Sequence, residues 1–238
     1  MISNVFNIPF GVSIQRGDVN NFQGIQKFGY NSSVGTSFET IWDGGGDYTF
    51  LTSAGTATAT SSDTSSDNNG TVRIYGLDSN YDLAEETITI GGSAGSTSFI
   101  RVFRAIMLTA TTGNANVGTI TITVSSTTVA QIQPTYGQTL MAVYTVPRKY
   151  QAYLVQLDVG SSKDLENEIR LITKEIDNGN VFNTKSFITT RGGFMEKNYI
   201  VPVVLTEKSD IDVRITTRSN NGRYTAAFDL LLVRNPNT

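Results

Sequence analysis

Residues 71–124 read TVRIYGLDSNYDLAEETITIGGSAGSTSFIRVFRAIMLTATTGNANVGTITITV, with apolar and β-branched side chains alternating with polar ones. Val72 and Ile74, Ile88 and Ile90, and Ile120, Ile122 and Val124 each sit two apart. A period of two is what a strand needs to bury one face and wet the other. The run is cut at Gly76–Tyr81, Gly91–Gly95 and Gly113–Gly118, clusters rich in residues that adopt turn conformations at low cost. Such a stretch makes sheet surface and contains no recognisable catalytic centre.

A chain of 238 residues has room for one large β domain or two small ones. It contains no cysteine, so neither disulfides nor thiol chemistry enter. It contains no histidine, which removes Ser-His-Asp and Cys-His catalysis and imidazole metal ligation. A net charge of −3 argues against a nucleic-acid partner, which requires a basic surface. Only 16% of residues are charged, so Thr, Ser, Asn and Gly must cover much of the surface, as suits a protein packed against neighbours. The N-terminus lacks the basic start and long apolar core of a signal peptide, and no run reaches the ~20 apolar residues of a membrane helix. The chain is therefore expected to be made in a cytoplasm, with no membrane partner.

Both halves carry the two-residue period, so the expected fold is all-β: two antiparallel β-sandwich or jelly-roll modules with an extended N-terminal arm. The arm spans residues 1–47, the first module 48–130 and the second 139–238, with a Pro- and Gly-containing linker over 130–138. Within the first module, Ala54–Thr60 reads as a strand of small residues. Ser61–Gly70 reads as a polar loop too poor in apolar groups to order strongly. In the second module Phe182–Thr190 and Tyr199–Leu205 read as separate strands. Ile211–Thr217 and Tyr224–Val233 read as a hairpin across Ser219-Asn220-Asn221-Gly222. Leu165–Ile176 has both helical and strand spacing; its β surroundings favour a strand.

The arm is rich in aromatics without a strand period. Phe6, Phe10, Phe22, Phe28 and Trp42 are the candidate interaction residues, docking either on the chain's own module or on a neighbouring subunit. Arg16-Gly17-Asp18 reads as an exposed turn. Asp43 and Asp47 flank three glycines and offer two oxygen ligands, well short of the 6–8 that calcium takes. Glu85 with Glu86, and Asp164, Glu166 and Glu168, read as solvated faces more readily than as a glycosidase pair. Neither enzymatic activity nor a cofactor is expected.

The strings FETIWDGGGDYTFL, TVRIYGLDSNYDLAEETITIGG and SFIRVFRAIML resemble virion structural proteins of tailed phages, especially marine ones. So do TLMAVYTVPRKYQAYLVQLDVG, GNVFNTKSF and VPVVLTEKSDIDVRITTRSNNGRYTAAFDLLLV, and the likeness covers most of residues 37–235. The resemblance implies a place on the virion, as a capsid decoration (cement) protein or a tail- or fibre-associated component. The implied partners are copies of itself and other virion proteins. A carbohydrate-binding module, with Tyr81 or Tyr224 stacking on sugars, is the alternative from another class.

Overall fold

The computed structural model describes residues 9–176, 179–219 and 222–235. Strands hold 61% of the chain and helices 4%, in two antiparallel sheets, so the all-β expectation holds. The chain opens with helix α1 (Phe10–Gln15) and strands β1 (Phe22–Val34) and β2 (Glu39–Thr40). Next come β3 (Gly55–Ser61), the single turn α2 (Thr64–Asp67), β4 (Thr71–Asp78), β5 (Leu83–Thr89), β6 (Ser98–Thr109), β7 (Ile120–Val124) and β8 (Thr127–Ile132). The last strands are β9 (Val143–Thr145), β10 (Tyr150–Lys174), β11 (Phe182–Leu205), β12 (Asp210–Thr217) and β13 (Gly222–Arg234).

Six strands form the smaller sheet, in the order β5-β4-β6-β3-β7-β8. Its alternation works as the sequence implies. Val72 and Ile74, and Ile120, Ile122 and Val124, are buried in one cluster with Ala57 and Ala59 of the small-residue strand. The β7–β8 turn places Ser125 and Ser126 both at positive φ (47° and 68°), the conformation a two-residue hairpin requires. The polar loop 61–70 is more ordered than its composition suggests. Asp67 is buried and accepts hydrogen bonds from the Val117 and Gly118 amides (2.8 and 2.7 Å) and from Ser61 Oγ (2.6 Å). Hydrogen bonds to a charged acceptor supply what apolar burial does not.

The larger sheet has seven strands built on β10. β11 follows one side of β10 from end to end, and β12 and β13 lie one after the other along its opposite side. The hairpin expected across residues 219–222 is therefore corrected. Among the described residues β12 and β13 do not pair with each other; both pair with β10, antiparallel to it. Asn220 and Asn221 lie outside the described residues. The ambiguous segment 165–176 is strand up to Lys174, with Ile169 and Leu171 buried on one face.

All three runs break at the same level: Ser161–Glu166 in β10, Arg191–Gly193 in β11, and the change from β12, which ends at Thr217, to β13, which starts at Gly222. Gly192 and Gly193 both have positive φ (69° and 72°), which glycine adopts most readily. The sheet folds over along this line and its two halves share one core, including Leu154, Leu157, Ile169, Leu171, Val213 and Phe228. The Tyr224 hydroxyl spans the fold to donate to Asn167 Oδ1 (2.5 Å).

Residues 22–47 are not a free arm. β1 pairs with β13 from Phe22↔Val233 to Val34↔Gly222, and β2 pairs with β12. The other side of β1 meets the segment before β9, where the Tyr30 amide donates to the Leu140 carbonyl (3.4 Å), and Ala142 in turn donates to the carbonyl of Ile41 beyond β2 (2.9 Å). A Cβ on Gly29 would run into the Ile41 carbonyl oxygen and the Ala142 amide nitrogen. Backbone cannot retreat as a flexible side chain can, so Gly29→Ala is expected to cost about 3 kcal/mol. Urea unfolding checks this, and a loss under about 1 kcal/mol would mean the closure is loose. The linker stretch 130–138 is likewise docked: Ala130–Ile132 belong to β8, and Gly137 accepts from the Met107 amide (2.7 Å).

Candidate functional site

The five candidate aromatics divide. Phe10 sits on α1, edge-on to Phe22 at 5.8 Å. Phe22, Phe28 and Tyr30 share one face of β1, opposite Val233, Ala227 and Thr225 on the outer face of β13. Three of the five thus lie on one outer face of the large sheet. Trp42 does not join them. It is buried against Tyr48 (5.2 Å, perpendicular), and its indole N–H donates to the Gly45 and Gly46 carbonyls (3.0 and 3.2 Å). Phe6 lies outside the described residues. The outer face holds a groove of about 410 Å³ lined by Phe28, Tyr30, Tyr136, Leu140, Phe194 and Ala227. A second, of about 330 Å³, runs between Phe10, Ile14, Ile25 and Leu231.

The strongest surface feature is one the sequence reading missed. Among the described residues β11 pairs only with β10, so it is an edge strand; it is 24 residues long and carries Phe187 (49% exposed), Phe194 (70%), Ile200 (99%) and Val201 (82%). Between Leu154↔Val203 and Gln156↔Asn198 the register slips, so Tyr199–Pro202 stands out as a bulge. Exposed apolar groups concentrated on a sheet edge mark an interaction surface.

The acidic candidates are engaged elsewhere. Asp43 Oδ2 accepts from the Leu140 amide (2.5 Å), and Asp47 pairs with Arg214 (3.0 Å), so the two carboxylates do not converge. Among the described residues no group of three or more His, Cys, Asp or Glu is placed to hold a metal ion. Glu86 accepts from the Ser96 and Thr97 amides (2.6 and 3.0 Å) and pins the loop between β5 and β6. Asp164, Glu166 and Glu168 pair with Arg191, Arg218 and Arg170. Tyr224 is fully buried, and Tyr81 is half-buried beneath Arg101 and Lys208, so neither presents an open ring to a sugar.

Titratable groups gather where the two sheets meet. Lys27 on β1 is buried, and its ammonium donates to the Phe103 carbonyl of β6. Burial, helped by the Arg104 charge, pushes Lys27 down to about 7. Burial raises Asp43 to about 7, and raises Asp212 to about 6 despite the Arg214 guanidinium beside it. A lysine whose folded pKa is depressed contributes stability present above its ordinary 10.5 and lost as pH falls to about 7. A carboxyl whose folded pKa is raised contributes stability present below 3.8 and lost as pH rises through about 7. Stability from these groups is therefore lowest near neutrality. Between neutral pH and about 9 the melting temperature is expected to rise, and Lys27→Met to remove that rise. An identical slope in the variant would show that Lys27 titrates normally.

No family model matches the chain, and no curated protein matches it. A chain from a structure of the infectious bursal disease virus Gx strain aligns over 91% of this chain and 71% of its own, at 10% identity and a TM-score of 0.23. A chain from the Gt strain aligns over 96% and 83%, at 11% identity and a TM-score of 0.20. Both neighbours are virus structures, but scores this low do not define a shared fold. Among the described residues no helix is long and apolar enough to cross a membrane.

Proposed function

We propose that this chain is a structural protein of a tailed-phage virion, bound to the head as a decoration or cement protein and made in the host cytoplasm. The observation that carries the reading is the free, apolar edge of β11 beside an aromatic outer face, on a scaffold of two docked sheets. An edge and a face of this kind hold neighbours by backbone pairing and apolar burial, with no reaction and no cofactor. Burial contributes about 25 cal/mol per Å² before the costs of association, so many weak contacts stabilise a shell. The resemblance of the quoted strings to phage virion proteins supports the same reading. The partners are copies of itself and other virion proteins, the major capsid protein first among them.

Quantitative mass spectrometry of purified virions tests this. Hundreds of copies per particle are expected for a head protein. A dozen or fewer would move the chain to the tail or its fibres, and absence from the particle would overturn the structural reading.

A further inference from the structure

We propose that the outer face of β1, β13 and the first half of β10 is a docking trough for an extended basic segment of a partner protein. That segment carries an arginine or lysine with a large apolar residue two positions to either side. The proposal deepens the structural role above by naming the chemistry of a partner, and it rests on that reading only for where the partner is found. Its test is made on the isolated protein, so either can fail without the other.

Ala227, Asp229 and Leu231 are successive outward positions on β13. Ala227 lies between Phe28 of β1 and Asp158 of β10, Asp229 between Gln26 and Gln156, and Leu231 between Gly24 and Tyr153. The groove of about 410 Å³ covers the first of these rows, walled by Phe28, Tyr136 and Phe194 over a floor of Ala227 and Gly160. The groove of about 330 Å³ covers the last, between Leu231, Val155 and the α1 residues Phe10 and Ile14. Each has room for a large apolar side chain.

Between the grooves the face is acidic. Asp158 lines the first groove and Asp229 the second, and Glu196 of β11 is paired with Asp158. Asp158 Oδ2 accepts from Gln156 (2.9 Å), and Glu196 from Asn198 (2.6 Å). Among the described residues Asp158 Oδ1 has no hydrogen-bond partner, and none of the three carboxylates forms an ion pair. Burial raises the Asp229 carboxyl above its ordinary range against the pull of Gln26, and the Asp158 charge adds to the rise. Arg223 faces the same way but stands six residues from Asp229, roughly 20 Å along the strand. Carboxylates that repel one another without a cation of their own make a face whose charge a partner completes.

The spacing selects an extended peptide. Ala227 and Leu231 are four residues apart, about 13 Å at ~3.3 Å per residue. A peptide laid along β13 in the same conformation sets its residues i and i+4 equally far apart on one face, with i+2 midway. Apolar side chains at i and i+4 then enter the two grooves, and a cation at i+2 meets the carboxylates. A helix brings i and i+4 within ~6 Å and cannot span the grooves with that pair. Phenylalanine rings give a sugar hydroxyl no hydrogen bond, and carboxylates repel phosphate, so a glycan and a nucleic acid both match this face less well.

Fluorescence anisotropy with a capped, labelled peptide, Ser-Phe-Thr-Arg-Thr-Phe-Ser, tests this. It should bind the native chain saturably, and more weakly as salt rises. Changing its arginine to glutamine, or either phenylalanine to serine, should each weaken binding at least tenfold. Phe28→Ser, on the outer face of β1, should weaken the arginine peptide at least tenfold as well. Asp158→Asn with Asp229→Asn should erase the preference for the arginine peptide over the glutamine peptide while leaving the affinity for the latter unchanged. A merely structural role for the two acids would weaken both peptides alike. Equal binding of the arginine and glutamine peptides by the native chain overturns the proposal whether or not any variant folds. So does undiminished binding by Phe28→Ser, or retention of an oligosaccharide on a glycan array by a chain that does not bind the peptide.

Discussion

A chain that begins at Thr49 is expected not to fold. Read as a sequence, residues 1–47 look like an arm that can be removed from an intact sandwich; in the structure their loss opens both cores. β1 is the neighbour of β13 along nearly its whole length, bonds Leu140 through Tyr30, and packs Gly29 tightly against Ile41 and Ala142. Val34 and Ile41 belong to the core of the large sheet, and Trp42 and Tyr48 to that of the small one. Burial of each such side chain is worth about 1.5–3 kcal/mol, so these four alone contribute roughly 6–12 kcal/mol. That approaches the whole ~5–15 kcal/mol stability of an ordinary domain. The shortened chain should show no cooperative thermal transition and should aggregate through the bared edge of β13. A chain that begins at Asn20 loses, of the described elements, only α1 and keeps β1, so it should melt cooperatively. If the Thr49 chain also melts cooperatively, with native far-UV circular dichroism, the segment is an arm after all.

The difference between that expectation and the structure lies in β1 itself. The alternation of β4 and β7 is legible because their apolar residues turn inward and their polar ones outward. β1 inverts the rule. Phe22, Phe28 and Tyr30 point out, while Lys27 and Asn31 point in, where Lys27 bonds the Phe103 carbonyl and Asn31 Nδ2 the Thr40 carbonyl (3.1 Å). Polar groups satisfied by partners far away in sequence leave no local periodicity to read. The same inversion is why Phe22 and Phe28 remain on a surface, whereas Trp42, from the same aromatic set, is core.

Topology was hidden for a related reason. Asn220-Asn221-Gly222 has the chemistry of a tight hairpin turn. Whether the strands either side of it pair with each other or with a third strand depends on β10, some fifty residues upstream. Tyr199–Leu205 reads locally as a buried strand because Ile200, Val201, Val203 and Val204 form a nearly unbroken apolar run. Only its position on the sheet edge, displaced by the bulge opposite Val155, shows that Ile200 and Val201 face solvent.

Arg101→Ala is expected to cost about 3–5 kcal/mol, a fall of roughly 10 °C in melting temperature for a chain of this size. Arg101 on β6 of the small sheet meets Asp210 on β12 of the large one through two parallel bonds of 2.7 and 2.8 Å, with both side chains buried. Its Nη1 also donates to the Leu51 and Ile100 carbonyls (2.7 Å each), and the guanidinium lies 5.4 Å from the Phe50 and Tyr81 rings. Truncation leaves the Asp210 carboxylate buried with Thr145 Oγ1 as its remaining side-chain donor, two carbonyls without their partner, and a void between rings. The cost comes from stranding a charge rather than from any large net value of the pair. Replacing both members with apolar residues, as Arg101→Met with Asp210→Leu, should therefore restore most of the loss. If the double variant is stable but unfolds less sharply than the native chain, the ion pair sets how the two sheets dock. If Arg101→Ala costs under about 1 kcal/mol, the ion pair contributes little, and the docking of the sheets rests on contacts such as Phe103 against Tyr144 instead.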